Sequence, residues 1–162
     1  MAKVLLALDG SDFARAAITQ GARLLGPGHQ LVAITVVQPP YVGTTAMAPM
    51  ETMPSSVPDP ATEAALLSEH QREAEAHLGS VAAELDADLE RRVAVGEPGT
   101  ELCAQAATLA ADVIGIGSHG HGLLKRMLLG SVSHHVLHHA PCAVLVVRSD
   151  EVSSDRPAST DR

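Results

Sequence analysis

The stretch Ile116-Gly117-Ser118-His119-Gly120-His121-Gly122-Leu123-Leu124-Lys125-Arg126-Met127-Leu128-Leu129-Gly130-Ser131-Val132-Ser133 leaves an aliphatic run, passes through a glycine-rich loop with two cations, and enters a helical pattern at Gly130-Ser131. Strand end, glycine loop and helix start together make an anion site. Glycine lets backbone N–H groups come close to a phosphate, and the free amides and positive dipole end of a helix favour negative charge. The hydroxyls of Ser131 and Ser133 can add hydrogen bonds. The internal match Gly115-x-Gly117-x-x-Gly120 is not read as a dinucleotide fingerprint. That fingerprint belongs after the first strand, with a helix opening at once and an acid about 20 residues on, and 137–143 holds no acid. A P-loop is absent as well.

Outward from this stretch, aliphatic or β-branched runs occupy 3–8, 31–37, 112–116 and 142–147, with a weaker candidate at 89–95. They are nearly continuous rather than alternating, as strands of a parallel sheet covered on both faces read. Helix-length segments separate them. Ala14, Ala17, Ile18, Gly21, Ala22 and Leu25 recur at helical spacing before Gly26-Pro27-Gly28, and 61–85 carries a stripe of Ala64, Leu67, Ala74, Leu78, Val81 and Leu85. Further helices are read over 100–110 and 131–139. The alternation implies an α/β fold: one open, doubly wound, Rossmann-like sheet of five parallel strands in the order 3-2-1-4-5, with helices on both faces and a ligand site at the strands' carboxyl ends. Asp9-Gly10-Ser11 and Gly117 to Gly120 sit at such ends. The domain spans 1–148. It includes a Pro- and Met-rich stretch at 39–62, read either as a lid or as a simple insertion, and is followed by a polar tail, 149–162, expected to be disordered.

The 162 residues carry 19 acids and 11 bases, a formal charge of −8, and only 1% aromatics, Phe13 and Tyr41. A core of Val, Leu, Ile and Ala follows, with no stacking platform and no basic groove for single-stranded nucleic acid. No apolar run spans a bilayer or reads as a secretory signal, so a cytoplasmic chain that binds neither nucleic acid nor membrane is expected. Cys103 and Cys142 read as small buried hydrophobes.

The spacing Gly117-x2-Gly120-x9-Gly130-Ser131, the opening Val4-Leu5-Leu6-Ala7-Leu8-Asp9-Gly10-Ser11 and the ending His139-Ala140-Pro141-Cys142-Ala143-Val144-Leu145-Val146-Val147 resemble the ATP-binding subgroup of the universal stress protein family. The resemblance covers roughly residues 2–148. It implies a homodimer that binds ATP, with or without Mg2+. Asp9 would hold the ribose, and the Val36 backbone would meet the adenine edge beside Ala7 and Ile116. Gly117, Gly120, Gly130, Ser131, Val132 and Ser133 would take the phosphates; apart from the resemblance, the loop position of His119 and His121 lets them approach phosphate or sense pH. The last strand, Ala143 to Val147, would pair with a second copy.

Each residue also has a plainer reading. Asp9 and Ser11 are good turn and cap residues, Ser131 can serve as a mere helix cap, and Lys125, Arg126, His119 and His121 can be solvated loop side chains. The pairs His134/His138 and His135/His139 have the i, i+4 spacing of metal ligands, but no neighbouring acid or cysteine supplies a third ligand. A solvated face without metal is expected there. No catalytic arrangement is recognisable. The expected function is that of an ATP-binding stress-response regulator acting through conformation or partners, the alternatives being a slow ATPase or phosphotransferase and a dimeric scaffold without nucleotide.

Overall fold

The strands come in the spatial order the sequence implies. The computed structural model describes residues 1–26, 28–39, 59–85, 89–118 and 130–147. Strands β1 (Lys3–Ala7), β2 (Gln30–Val37), β3 (Leu89–Val95), β4 (Val113–Gly117) and β5 (Ala143–Val147) alternate with helices α1 (Asp12–Leu25), α2 (Pro60–Leu85), α3 (Pro98–Leu109) and α4 (Ser131–His139). All pairings are parallel, in the order β3-β2-β1-β4-β5.

Because successive side chains on a strand alternate in direction, an all-aliphatic strand feeds two cores. Val4, Leu6, Leu8, Ala33 and Leu89 meet Ala14 and Ile18 of α1 and Leu78 and Val81 of α2 on one face. Leu5, Val32, Ile34, Ile114 and Ile116 meet Leu102 and Ala106 of α3 and Val136 of α4 on the other. Gly115 is a packing glycine: a Cβ there would lie 2.9 Å from the Leu6 Cδ2 atom. Its bare backbone makes room for a core leucine.

One part of the helical stripe read from the sequence is corrected. α2 has 26 residues, about 39 Å at 1.5 Å per residue, whereas the strands have 5 to 8. Only Ala74, Leu78 and Val81 are buried; Ala64 is exposed and Leu67 half-buried. α2 runs back from the carboxyl end of β2 to the amino end of β3, so its first turns stand beyond the sheet at the edge where the strands finish.

Among the described residues, no helix is long and apolar enough to cross a membrane. Most of 39–62, the tail 149–162, His119, Gly120, His121, Lys125 and Arg126 lie outside the described residues.

Candidate functional site

In a parallel sheet with helical crossovers, every helix starts at the edge where the strands end, so four helix amino termini gather at one end of this molecule. Each leaves its first N–H groups without an intrahelical acceptor. Three of the four are closed by side chains of the chain itself. Ser11 caps α1, its hydroxyl accepting from Ala14 N–H at 3.1 Å and donating to Asp9 Oδ1 at 2.6 Å. Asp59 precedes α2 and accepts from the amides of Ala61 and Thr62 at 2.8 and 3.0 Å and from the Thr62 hydroxyl at 2.8 Å. Glu97 caps α3, accepting from Thr100 N–H at 2.7 Å. The Thr62 hydroxyl, helped by the Thr62 and Ala61 amides, holds the Asp59 carboxyl below its usual value; the Thr100 amide does the same for Glu97. Both therefore stay charged over their amides near neutral pH.

The fourth, α4, begins at Gly130, which offers no side-chain cap. Its first amides belong to Ser131, Val132 and Ser133. The Gly130 N–H itself donates to the Ser118 carbonyl at 3.2 Å, and the buried Ser133 hydroxyl donates to the Gly117 carbonyl at 2.8 Å. These two bonds tie the start of α4 to the end of β4 and spend donors that the sequence reading assigns to phosphate. The amides of Ser131, Val132 and Ser133 and the exposed Ser131 hydroxyl are what this helix end presents to an anion.

Beside it lies an apolar floor. Ala7, Val36 and Val132 pack against the same cluster that contains Ile116, all on the α3/α4 face. Ala7 pairs with Ile34, and Leu6 with Gly115, so Ala7, Val36 and Ile116 come together where β1, β2 and β4 end. The Ile34 carbonyl accepts from Leu8 N–H at 2.9 Å. Alternate residues of a strand turn their backbone groups to the same side. Val36, two residues on, thus turns its N–H and C=O past the last residue of β1, while the Val37 carbonyl accepts from Gly96 on the β3 side at 3.0 Å.

Asp9 follows β1 at the same end, exposed, with Oδ1 accepting from both the Ser11 N–H, at 2.9 Å, and its hydroxyl. Between them Gly10 sits at φ +84°, a backbone region that side chains disfavour. Asp9 organises this turn. β1 and β4 are also the strands at which the order reverses, the place where ligands of doubly wound sheets bind.

Two features had escaped the sequence reading. Ser118 anchors the base of the loop, its N–H donating to the Val147 carbonyl at 3.0 Å while its carbonyl receives Gly130. Asp59 and Glu97 close two of the competing helix ends. An acid before a helical run is a visible cap signal, whereas the Ser118 bonds join residues far apart in sequence and carry no local signature.

The family model described as Universal stress protein family matches residues 1–148. The chain belongs to the universal stress protein family. Universal stress protein Sll1388 from Synechocystis sp. is 31% identical over 160 residues, covering 90% of this chain and 97% of that protein. Among solved structures, universal stress protein UspA from Lactobacillus plantarum aligns with a TM-score of 0.70 at 25% identity, over 91% of this chain and 97% of that one. A universal stress protein in complex with cAMP shares the fold at a TM-score of 0.57 and 24% identity, over 91% and 96% of the two chains. The two thiols of this family member are half-buried, and burial pushes both up from the usual cysteine value. Both are held further toward the thiol form than an ordinary cysteine.

Proposed function

We propose that this universal stress protein binds ATP, with or without Mg2+, at the carboxyl edge of β1, β2 and β4, and acts as a stress-response regulator through the conformation that the bound nucleotide sets. The observation that carries the reading is the start of α4, which no side chain among the described residues caps, beside three helices capped by their own side chains. Phosphates would meet the amides of Ser131, Val132 and Ser133, the adenine would lie on Ala7, Val36 and Ile116 with its edge toward the Val36 backbone, and Asp9 would hold the ribose. The glycines at 117, 120 and 130, together with His119, would shape the loop around the anion. That a protein of the same fold has been captured with cAMP agrees with an adenine nucleotide as the ligand. With no aromatic ring on the floor, aliphatic contact and backbone hydrogen bonds hold the base.

Mass spectrometry of small molecules released from purified protein tests this, followed by calorimetric titration with ATP. Co-purified or titratable ATP is the expected result. Absence of both, from protein shown to be folded, removes the reading.

The sheet edges support self-association through β5. β3, the other edge, carries Glu90, exposed Arg91 and Arg92, with Glu90 and Arg92 paired at 2.7 Å. Charges on an edge discourage pairing with another chain. β5 reads Ala-Val-Leu-Val-Val, with Ala143 exposed and Val144, Leu145 and Val146 half-buried. Replacing Ala143 by Lys places a charge on this edge without entering the core. It is expected to weaken a dimer by about tenfold or more, equivalent to about 1.4 kcal/mol, as read by sedimentation. A parent protein that is monomeric throughout the micromolar range overturns the dimer.

A further inference from the structure

α4 carries four histidines in one and a half turns, and the two i, i+4 pairs differ in ways the sequence spacing does not show. His135 and His139 are committed to the fold. The His135 ring lies over Gly99 at the start of α3, where a Cβ would sit 2.7 Å from its Cγ atom. His139 donates from Nδ1 to the His135 carbonyl at 2.9 Å, and the two rings stack with centroids 4.3 Å apart at 23°. His134 and His138 are both exposed, with centroids 4.5 Å apart and planes inclined at 45°.

That spacing has a coordination meaning. An imidazole nitrogen stands about 1.1 Å from its ring centroid and binds a first-row divalent ion at about 2.0–2.1 Å, so each centroid would lie about 3.2 Å from the ion. Two rings on adjacent corners of a square then have centroids about 4.5 Å apart, against about 5.2 Å for a tetrahedral angle. The observed 4.5 Å separation matches the shorter of these two spacings. Square and tetragonal nitrogen sites belong to Cu2+ and Ni2+, and Cu2+ leads the affinity order for a given donor set. Among the described residues, no group of three or more histidines, cysteines or acids could hold a metal ion, so water would complete the coordination.

We propose that His134 and His138 form a bidentate site on α4 for a tetragonal first-row ion, Cu2+ before Ni2+, independent of the nucleotide site. The pair clips one turn of the helix, and the ion would stabilise the folded state by mass action because the unfolded chain does not preserve the clip.

The test is calorimetric titration of the full chain with CuCl2, with paramagnetic resonance of the loaded protein. His134→Gln and His138→Gln replace exposed positions with a good helix former, and circular dichroism confirms that α4 is retained. Each is expected to weaken the site by at least about tenfold, the lower end of what losing even an outer-shell partner costs, and to remove nitrogen couplings from the copper spectrum. His139→Gln is expected to leave the site unchanged. The histidines outside α4 give a background common to all variants. Copper affinity in His138→Gln within about twofold of the parent overturns the proposal, as does an equal loss in His139→Gln.

Discussion

Replacing Gly130 with aspartate is expected to raise the unfolding temperature and to weaken ATP binding at the proposed site. Gly130 is the N-cap of α4 at φ −59° and ψ 159°, a backbone conformation open to any L-residue. An aspartate carboxylate there can accept from amides of the first turn, as Asp59 and Glu97 do at α2 and α3. Capping by aspartate instead of glycine is worth a few tenths of a kcal/mol to about 1 kcal/mol. The same carboxylate occupies the amides proposed for phosphate and sets a negative charge against a polyanion. ATP affinity is expected to drop about a hundredfold or more, equivalent to about 2.7 kcal/mol. Stability and binding thus move in opposite directions, an outcome that general damage to the fold cannot produce. Thermal unfolding and calorimetric titration read the two effects, and ATP affinity within about threefold of the parent would remove α4 from the site.

The second large effect is on stability alone. Leu78 is fully buried between α2 and the sheet, among Val4, Leu6, Ala33 and Val81. Leu78→Ala is expected to cost about 3 kcal/mol, from lost transfer energy and the cavity left behind. In a chain of this size that lowers the melting temperature by roughly 6–12 °C. Leu67 lies on the same stripe of the same helix but outside the buried clusters, and Leu67→Ala is expected to cost less than about 1 kcal/mol. Scanning calorimetry of the two variants separates buried from overhanging turns. Equal losses would mean that the first turns of α2 are covered in solution.

That contrast also marks what could be read from the sequence. Strand positions were legible because each run had to be aliphatic on both faces, and the helical crossovers then left few ways to order the sheet. β3 and α4 begin and end where the pattern places them; β4 lies one residue later than its aliphatic run. The α2 stripe was legible as helix and misleading as core. Periodicity shows which side of a helix is apolar, whereas burial also needs a sheet beneath, and the strands are shorter than the helix. Glycine and serine spacing pointed to the start of α4, a helix end whose N-cap has no side chain, since backbone approach and helix ends impose local constraints. It could not show that Gly130 donates to Ser118 or Ser133 to Gly117, because those partners are set by how β4 and α4 dock. Nor could it rank the helix ends, which depends on which caps close onto their own amides.

The division of the core between two faces bears on how the chain is made. Every buried residue of the α1/α2 cluster lies at or before Leu89, whereas the opposite cluster needs Leu102, Ala106, Ile114 and Val136 to cover Leu5, Val32 and Ile34. Chains emerge from the ribosome amino end first, and their domains begin to fold in that order. One side of the nascent sheet can close early, while the other stays a bare aliphatic plate until α3 and α4 have been synthesised. Until then Leu5, Val32 and Ile34 lack the residues that cover them in the folded chain.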